Sequence, residues 1–207
     1  MNIRREGFPF IATSSALFVL LALTGSRLLG LIGIVPALFV TWFFRDPERR
    51  TPDGKHLFTS PADGTVLDVV ETNEEKVGPC TKISVFMSVF NVHVNRSPVS
   101  GTVAEKRYRP GKFRMANLGE KTEENERMII YLQNEDGIFR VDQVAGLIAR
   151  RISCWPEQGE SVQRGQRIGL IRFGSLLECY IPAGWQILVN RDDKVAAGVT
   201  VLGRGEG

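Results

Sequence analysis

Histidine is nearly absent from this sequence: His56 and His93 are the only two in 207 residues. Imidazole chemistry, if used, has two places to be. Cysteine is scarce as well. Cys80, Cys154 and Cys179 are odd in number and form no C-x-x-C, which argues against a disulfide framework or a zinc site and fits a reducing compartment. The sequence has no glycine-rich nucleotide loop and no cluster of metal-ligating residues, so no metal is expected. It also lacks a basic helix or an aromatic-interleaved basic patch, so nucleic acid is not an expected partner. The net charge of +3 is mild and suits an anionic lipid surface.

Acidic residues are missing from Phe8 to Phe44, where Arg27 is the one charge. The stretch divides into FPFIATSSALFVLLALTG (8–25) and LLGLIGIVPALFVTWFF (28–44), each near the short end of the roughly 17–25 residues that a membrane-spanning helix needs. A cleaved signal peptide is the competing reading, but no small-x-small site leads into a polar chain, because a second apolar run follows. The expectation is a membrane-associated helical hairpin with linker over 1–50. It either spans the bilayer or dips into one leaflet. Arg4 and Arg5 precede it and Arg45, Arg49 and Arg50 follow it, which assigns both ends to the cytoplasmic face of the cell membrane.

After the Pro- and charge-rich linker RDPERRTP (45–52) the pattern changes. Short β-branched or alternating runs at 64–71, 81–88, 90–98, 101–108, 127–134, 139–146, 166–173, 176–182 and 185–192 are punctuated by Gly and Pro. The segment 144–155 reads as a helix or a bent strand. GESVQRGQRIG (159–169) and DDKVAAGVTVLG (192–203) form a faint repeat, with Glu160, Val162 and Gly165 matching Asp193, Val195 and Gly198. It is similar to the turn-strand units of lipoyl domains. The fold expected for 51–207 is mainly β (α+β): small twisted sheets with a lipoyl-like β-sandwich element.

Three stretches carry candidate chemistry. SPADG (60–64) is good turn chemistry and contains Asp63. FNVHVNRSP (90–98) sets His93 at one strand parity with Asn91 and Asn95, opposite Val92 and Val94. IRFGSLLECYIP (171–182) inserts Gly174-Ser175 between two apolar runs, where a glycine marks a bulge or a close backbone approach. Singly each reads as structure. Together they supply an Asp, a His and a Ser, the groups that activate a hydroxyl nucleophile.

In sequence and order, FFRDPERRTP, SPADG, FMSVFNVHVNRSP, GKF…N…EENER and the late FGS resemble the short form of the phosphatidylserine decarboxylase proenzyme family, over essentially the whole chain. The resemblance implies that the Gly174–Ser175 bond cleaves itself into a large and a small chain, which form a heterodimer compatible with further dimerisation. Ser175 would become the covalent pyruvoyl (pyruvate) cofactor. That carbonyl would form a Schiff base with phosphatidylserine and act as electron sink while carbon dioxide leaves, giving phosphatidylethanolamine at the membrane surface. His93 would take the Ser175 proton and Asp63 would orient and stabilise the imidazolium. The family's long form has a second histidine where Arg96 stands here. Either His93 serves both cleavage and decarboxylation, or Asp63 acts more directly. By the same resemblance 117–127 is a loop near the headgroup; on composition alone it is a solvated loop. Three other readings compete: a membrane-tethered lipoyl-like carrier, a non-cleaving scaffold relative, and a pyruvoyl decarboxylase of a soluble amino acid. The carrier needs a modifiable lysine, and Lys194 lacks the usual flanking Met. The apolar N-terminus argues against a soluble substrate.

Overall fold

The computed structural model describes residues 2–113, 124–146, 151–172 and 174–206. It divides into two units, Met1–Glu48 and Arg49–Gly207.

The first unit is a helix pair. Helix α1 (Phe8–Ala22) starts with a proline in its first turn, where the missing N–H costs nothing. Gly25, at φ +72°, takes the left-handed conformation that ends such helices. The Ser26 side chain caps helix α2 (Arg27–Phe43) by accepting from the Leu29 amide. The helices touch closely at Gly33, where an added Cβ would lie 2.7 Å from the Phe18 Cα. At the open end, β1 (Asn2–Ile3) pairs antiparallel with β2 (Arg45–Asp46). Arg4 pairs with Asp46 there at 3.4 Å, and the Arg45 guanidinium lies 3.6 Å from the centre of the Trp42 ring. Charge is thus gathered at the base of the pair. Helix α1 buries no residue, and Leu17, Leu20, Leu31, Val35 and Leu38 are exposed. Arg5–Ala22 is long and apolar enough to cross a membrane; α2 is shorter.

The second unit is built of strands, as the alternating pattern predicts. They are β3 (Leu57–Thr59), β4 (Gly64–Glu74), β5 (Gly78–Met87), β6 (Val94–Arg96), β7 (Gly101–Arg109), β8 (Arg127–Asn134) and β9 (Gly137–Val144). There follow β10 (Ile152–Cys154), β11 (Ser161–Val162), β12 (Arg167–Ile171), β13 (Ser175–Pro182), β14 (Gln186–Ile187), β15 (Lys194–Val195) and β16 (Val201–Arg204). An eight-stranded sheet runs β11-β7-β8-β9-β13-β5-β4-β15, and two three-stranded sheets run β10-β12-β6 and β14-β16-β3. Two runs differ from the sequence pattern. Only Val94–Arg96 of 90–98 and Gln186–Ile187 of 185–192 are strand, because turns claim the residues on either side. Of the two segments read ambiguously, 147–150 and 117–123 lie outside the described residues.

The strand order is a palindrome, and the registers make it an approximate two-fold between β9 and β13. Leu57 pairs with Arg204 and Val94 with Leu170, and both partner strands shift register at the equivalent place. Gly64 pairs with Val195 and Gly101 with Val162. The Gly198 amide donates to Ser60 O at 2.7 Å, and the Gly165 amide to Ser97 O at 2.8 Å. The 159–169 and 192–203 repeat is one part of this duplication. Its other part is H-x-x-x-S-P-x-x-G-T-V, present at 56–66 and again at 93–103.

One face of the large sheet is the apolar core, with Val85, Met87, Val141, Leu177 and Ile181 buried on it. The opposite face carries a buried ionic network. Arg127 donates to Asp142 at 3.0 Å and to Glu178 at 2.8 Å. Arg140 reaches Asp142 and, at 3.0 Å, Glu74, which also accepts from the Tyr131 hydroxyl at 2.7 Å. Burial disfavours the Glu74 carboxylate. Hydrogen bonds from Tyr131, the Val77 and Lys76 amides and Arg140 outweigh that and hold its pKa below the usual 4.5. The folded chain therefore binds this proton less readily than the unfolded chain. The stabilisation is complete above the unfolded value and is lost as pH falls through the folded one. Thermal unfolding between pH 6 and pH 3 tests this: the midpoint falls more steeply below about pH 4.5 in wild type than in Glu74→Gln.

Candidate active site

Two segments carry the chain between the large sheet and the β10-β12-β6 sheet, and they run side by side. One leaves β5 at Met87 and enters β6 at Val94. The other leaves β12 at Ile171 and enters β13 at Ser175. Ser175 is registered opposite Met87 and Leu170 opposite Val94, while the Ile171 amide donates to His93 O at 3.4 Å. On the other flank of β5, Thr65 lies opposite Phe86. Asp63 and Ser175 therefore flank the end of β5, two strand spacings (about 10 Å) apart.

Ser175 is fully buried at the first position of β13, and its Oγ has no hydrogen-bond partner among the described residues. Before it, Gly174 sits at φ +61° in open space. The glycine is needed there for conformation rather than room, since an L side chain is strained at that φ. Phe173 lies outside the described residues.

His93 is buried, not on an exposed polar strand face. The turn before it is built by Asn91, whose Oδ1 accepts from the Ser88 amide at 2.9 Å and the Ser88 hydroxyl at 2.8 Å. The Asn91 carbonyl lies 3.0 Å from His93 Nδ1. A carbonyl only accepts, so Nδ1 carries the proton of the neutral ring and Nε2 holds the lone pair, the form a general base needs. Asp63 has one oxygen on Arg49 at 2.8 Å and the other accepting from the Ala197 amide at 2.8 Å. Its turn is tied to β6 by the Arg96 amide, which donates to Pro61 O at 2.9 Å. The Arg96 guanidinium donates to Gly165 O at 2.9 Å.

Two residues here have no counterpart among the sequence candidates. Asn95 and Gln143 are fully buried and joined by a 2.8 Å hydrogen bond. The repeated H-x-x-x-S-P motif was the available signal: it makes His56 the two-fold mate of His93, and Phe58 the mate of Asn95. At the mate position His56 Nδ1 lies 2.5 Å from Asp136 Oδ1, beside a cleft of about 450 Å³. Asp136 is the mate of Gly174, and Gly137 of Ser175. Thiol chemistry has little support. The cysteines are free, and burial pushes Cys154 up to about 11 and Cys179 well above the usual range. Among the described residues no group of three or more His, Cys, Asp or Glu is placed to hold a metal.

The family model for phosphatidylserine decarboxylase matches residues 37–203. The chain belongs to the phosphatidylserine decarboxylase family. It is 47% identical over 207 residues to a phosphatidylserine decarboxylase proenzyme of Syntrophus aciditrophicus, covering 97% of this chain and 96% of that one. It is 48% identical to the proenzyme so named from Trichlorobacter lovleyi, with 96% and 94% covered. The Symbiobacterium thermophilum proenzyme is 49% identical, with 98% and 95% covered.

The Asn91 turn is the testable part of the support for His93. Asn91→Ala removes an acceptor serving two donors and is expected to lower stability by about 1–2 kcal/mol. Phe90→Ser, at the exposed neighbouring position, stays within about 0.5 kcal/mol of wild type. Thermal melts of the two variants check it.

Proposed function

We propose that this protein decarboxylates phosphatidylserine to phosphatidylethanolamine and carbon dioxide, using a pyruvoyl group that it makes from its own Ser175. The observation that carries the proposal is the state of Ser175: a buried hydroxyl without a partner, directly after a left-handed glycine, at the start of a strand held on both sides. The residues fit such a group, which needs no more room than the serine it replaces.

Self-cleavage follows from the chain's own groups. Ser175 Oγ attacks the Gly174 carbonyl carbon while His93 Nε2 takes the hydroxyl proton. The C–N bond breaks, the nitrogen leaves as the amine of residue 175, and the backbone is now an ester. Loss of the Ser175 Cα proton expels the Gly174 carboxylate as a new C-terminus, and water then releases ammonia. Asp63, whose oxygens are held by Arg49 and the Ala197 amide, would act on the imidazolium through space and not by a hydrogen bond to His93 Nδ1, which faces the Asn91 carbonyl. A pyruvoyl group at residue 175 would supply an electrophilic carbonyl for a substrate amine and an electron sink for decarboxylation.

The two pieces stay together in this reading, because β13 lies between β9 and β5 and its Glu178 is buried against Arg127. The exposed apolar helix pair supports a membrane-bound enzyme with its charged base at the cytoplasmic face. Working at the bilayer brings the enzyme to its lipid substrate.

Intact mass spectrometry of wild type and Ser175→Ala tests the proposal. Wild type should give co-purifying chains 1–174 and 175–207, the second with a blocked N-terminus and one pyruvoyl in place of serine; the variant stays whole. Wild type should then release carbon dioxide from phosphatidylserine vesicles. A wild-type chain that remains intact would overturn the reading in favour of a scaffold or a carrier.

A further inference from the structure

The large unit contains two buried side-chain oxygens without a partner among the described residues, Ser175 Oγ and Gln143 Oε1. They belong to the same place. Gln143 is registered opposite Leu177, two residues along the same face from Ser175. Diagonal neighbours of this kind are about 7–8 Å apart at Cα, within reach of a long side chain. The orientation of the Gln143 amide is set by a chain of contacts. Asn95 Nδ2 faces the Met87 sulfur at 3.6 Å, a weak acceptor that an amide N–H suits and an amide oxygen does not. Asn95 Oδ1 is thereby turned to accept from Gln143 Nε2 at 2.8 Å. That leaves Gln143 Oε1 turned away from Asn95, buried and without a partner among the described residues. Met87, where the chain of contacts starts, is itself the register partner of Ser175.

The internal two-fold provides the contrast. The mates of Asn95 and Gln143 are Phe58 and Ile181, both buried in the apolar core. Gly169 lies against the Gln143 amide, and its mate Gly203 lies against Ile181. The same backbone is therefore filled by hydrocarbon in one half and by a polar pair in the other. An unpartnered buried carbonyl is destabilising, and the fold itself does not require it. The polar version occurs at the end of the sheet where Ser175 lies.

We propose that Gln143, held by Asn95, is a positioning residue for self-cleavage: on rotation of the Ser175 side chain its Oε1, unpartnered in the structure described, accepts the Ser175 hydroxyl and selects the rotamer from which Oγ reaches the Gly174 carbonyl, the hydroxyl hydrogen then turning to His93 Nε2 as attack begins. The inference rests on the reading of Ser175 as the cleavage nucleophile. A neutral hydrogen bond of ordinary strength corresponds to roughly a three- to tenfold change in rate.

The test follows cleavage of the full chain by intact mass after cell-free synthesis, for wild type, Ser175→Ala, Gln143→Met, Gln143→Glu and Asn95→Leu. Gln143→Met keeps the length and loses the acceptor; it should cleave about three- to tenfold more slowly. Gln143→Glu in its protonated form keeps both a donor for Asn95 and an acceptor for Ser175 and should recover the rate at low pH, with a new carboxylate ionisation in the pH profile of cleavage that a purely structural role would not introduce. Asn95→Leu releases the amide and should slow cleavage as Gln143→Met does. Melting temperatures of the variants in the Ser175→Ala background separate slow chemistry from loss of fold. Gln143→Met cleaving at the wild-type rate overturns the inference while leaving the Ser175 reading intact. So does Gln143→Glu failing to recover at low pH although folded. Cleavage of Ser175→Ala, or none in wild type, overturns both.

Discussion

Everything at the site depends on where β13 begins. Strand β13 is internal to the large sheet, with β5 on one side and β9 on the other. Its first residue, Ser175, is already in register with Met87, whereas Gly174 stands outside the ladder at a left-handed φ. The boundary between held and unheld backbone thus falls on one peptide bond. Strain can reside on the Gly174 side, because no ladder partner constrains it, while the hydroxyl on the Ser175 side is fixed by the sheet. If the bond is cut, neither flank of β13 loses its pairing. The buried Arg127–Glu178 contact also remains, and removing one partner of such a pair typically costs 3–5 kcal/mol. The strand is therefore suited to persist after a break at its own first residue.

The internal two-fold explains how such a site arises without a new fold. In both halves the segment S-P-x-x-G-T-V turns, pairs a short strand and enters a long one. In one half the connection between the equivalents of β5 and β13 is the short β8–β9 hairpin, with Gly137 where Ser175 would be. In the other half the chain instead passes out through β6 to β12 and returns. That detour sets two crossings beside each other, one ending in His93 and the other in Ser175. The end of the sheet that holds Ser175 differs from its mate by few residues: Asn91 before His93 where the mate has Gly54 before His56, Asp63 where the mate has Ser100, and Asn95 and Gln143 where the mate has hydrocarbon. Ser100 Oγ accepts from the Arg164 amide at 3.0 Å just as Asp63 accepts from Ala197. The turn geometry is common to both; the charge is particular to one.

Much of this was legible in the sequence, for local reasons. Alternation in TKISVFM and RMIIYLQN places one face of β5 and of β8 in the core, and the apolar residues of 8–44 fall into two helices at the break around Gly25. The burial of His93 was not legible. Parity put it on a face with Asn91 and Asn95, which reads as solvent-facing. In fact β6 is buried on both sides, and its polar groups find one another or the neighbouring backbone. The pairing of Gln143 was hidden for the same reason: VDQVAG shows a polar residue in an apolar strand, but its partner Asn95 is 48 residues away and is brought there by sheet order. Long-range register is the quantity that local pattern does not encode. The duplicated H-x-x-x-S-P-x-x-G-T-V motif did carry it, since two copies of one turn imply two copies of one pairing.

The helix pair obeys the opposite rule from the strand unit. The sheets hide their apolar face and leave polar turns outside, whereas α1 buries nothing and exposes leucines along its length. Arg4 to Asp46, Asn2 to Glu48 and Arg45 over Trp42 all lie at the open end. In water such a surface is an association liability; in lipid it is satisfied, because a helix already pairs its own backbone groups. The solvent that suits this unit is therefore a bilayer, with the charged end at the interface, where Trp and Arg are best accommodated. An exposed apolar helix pair in one unit and a buried serine hydroxyl without a partner among the described residues in the other are the two features that the proposed phospholipid substrate accounts for together.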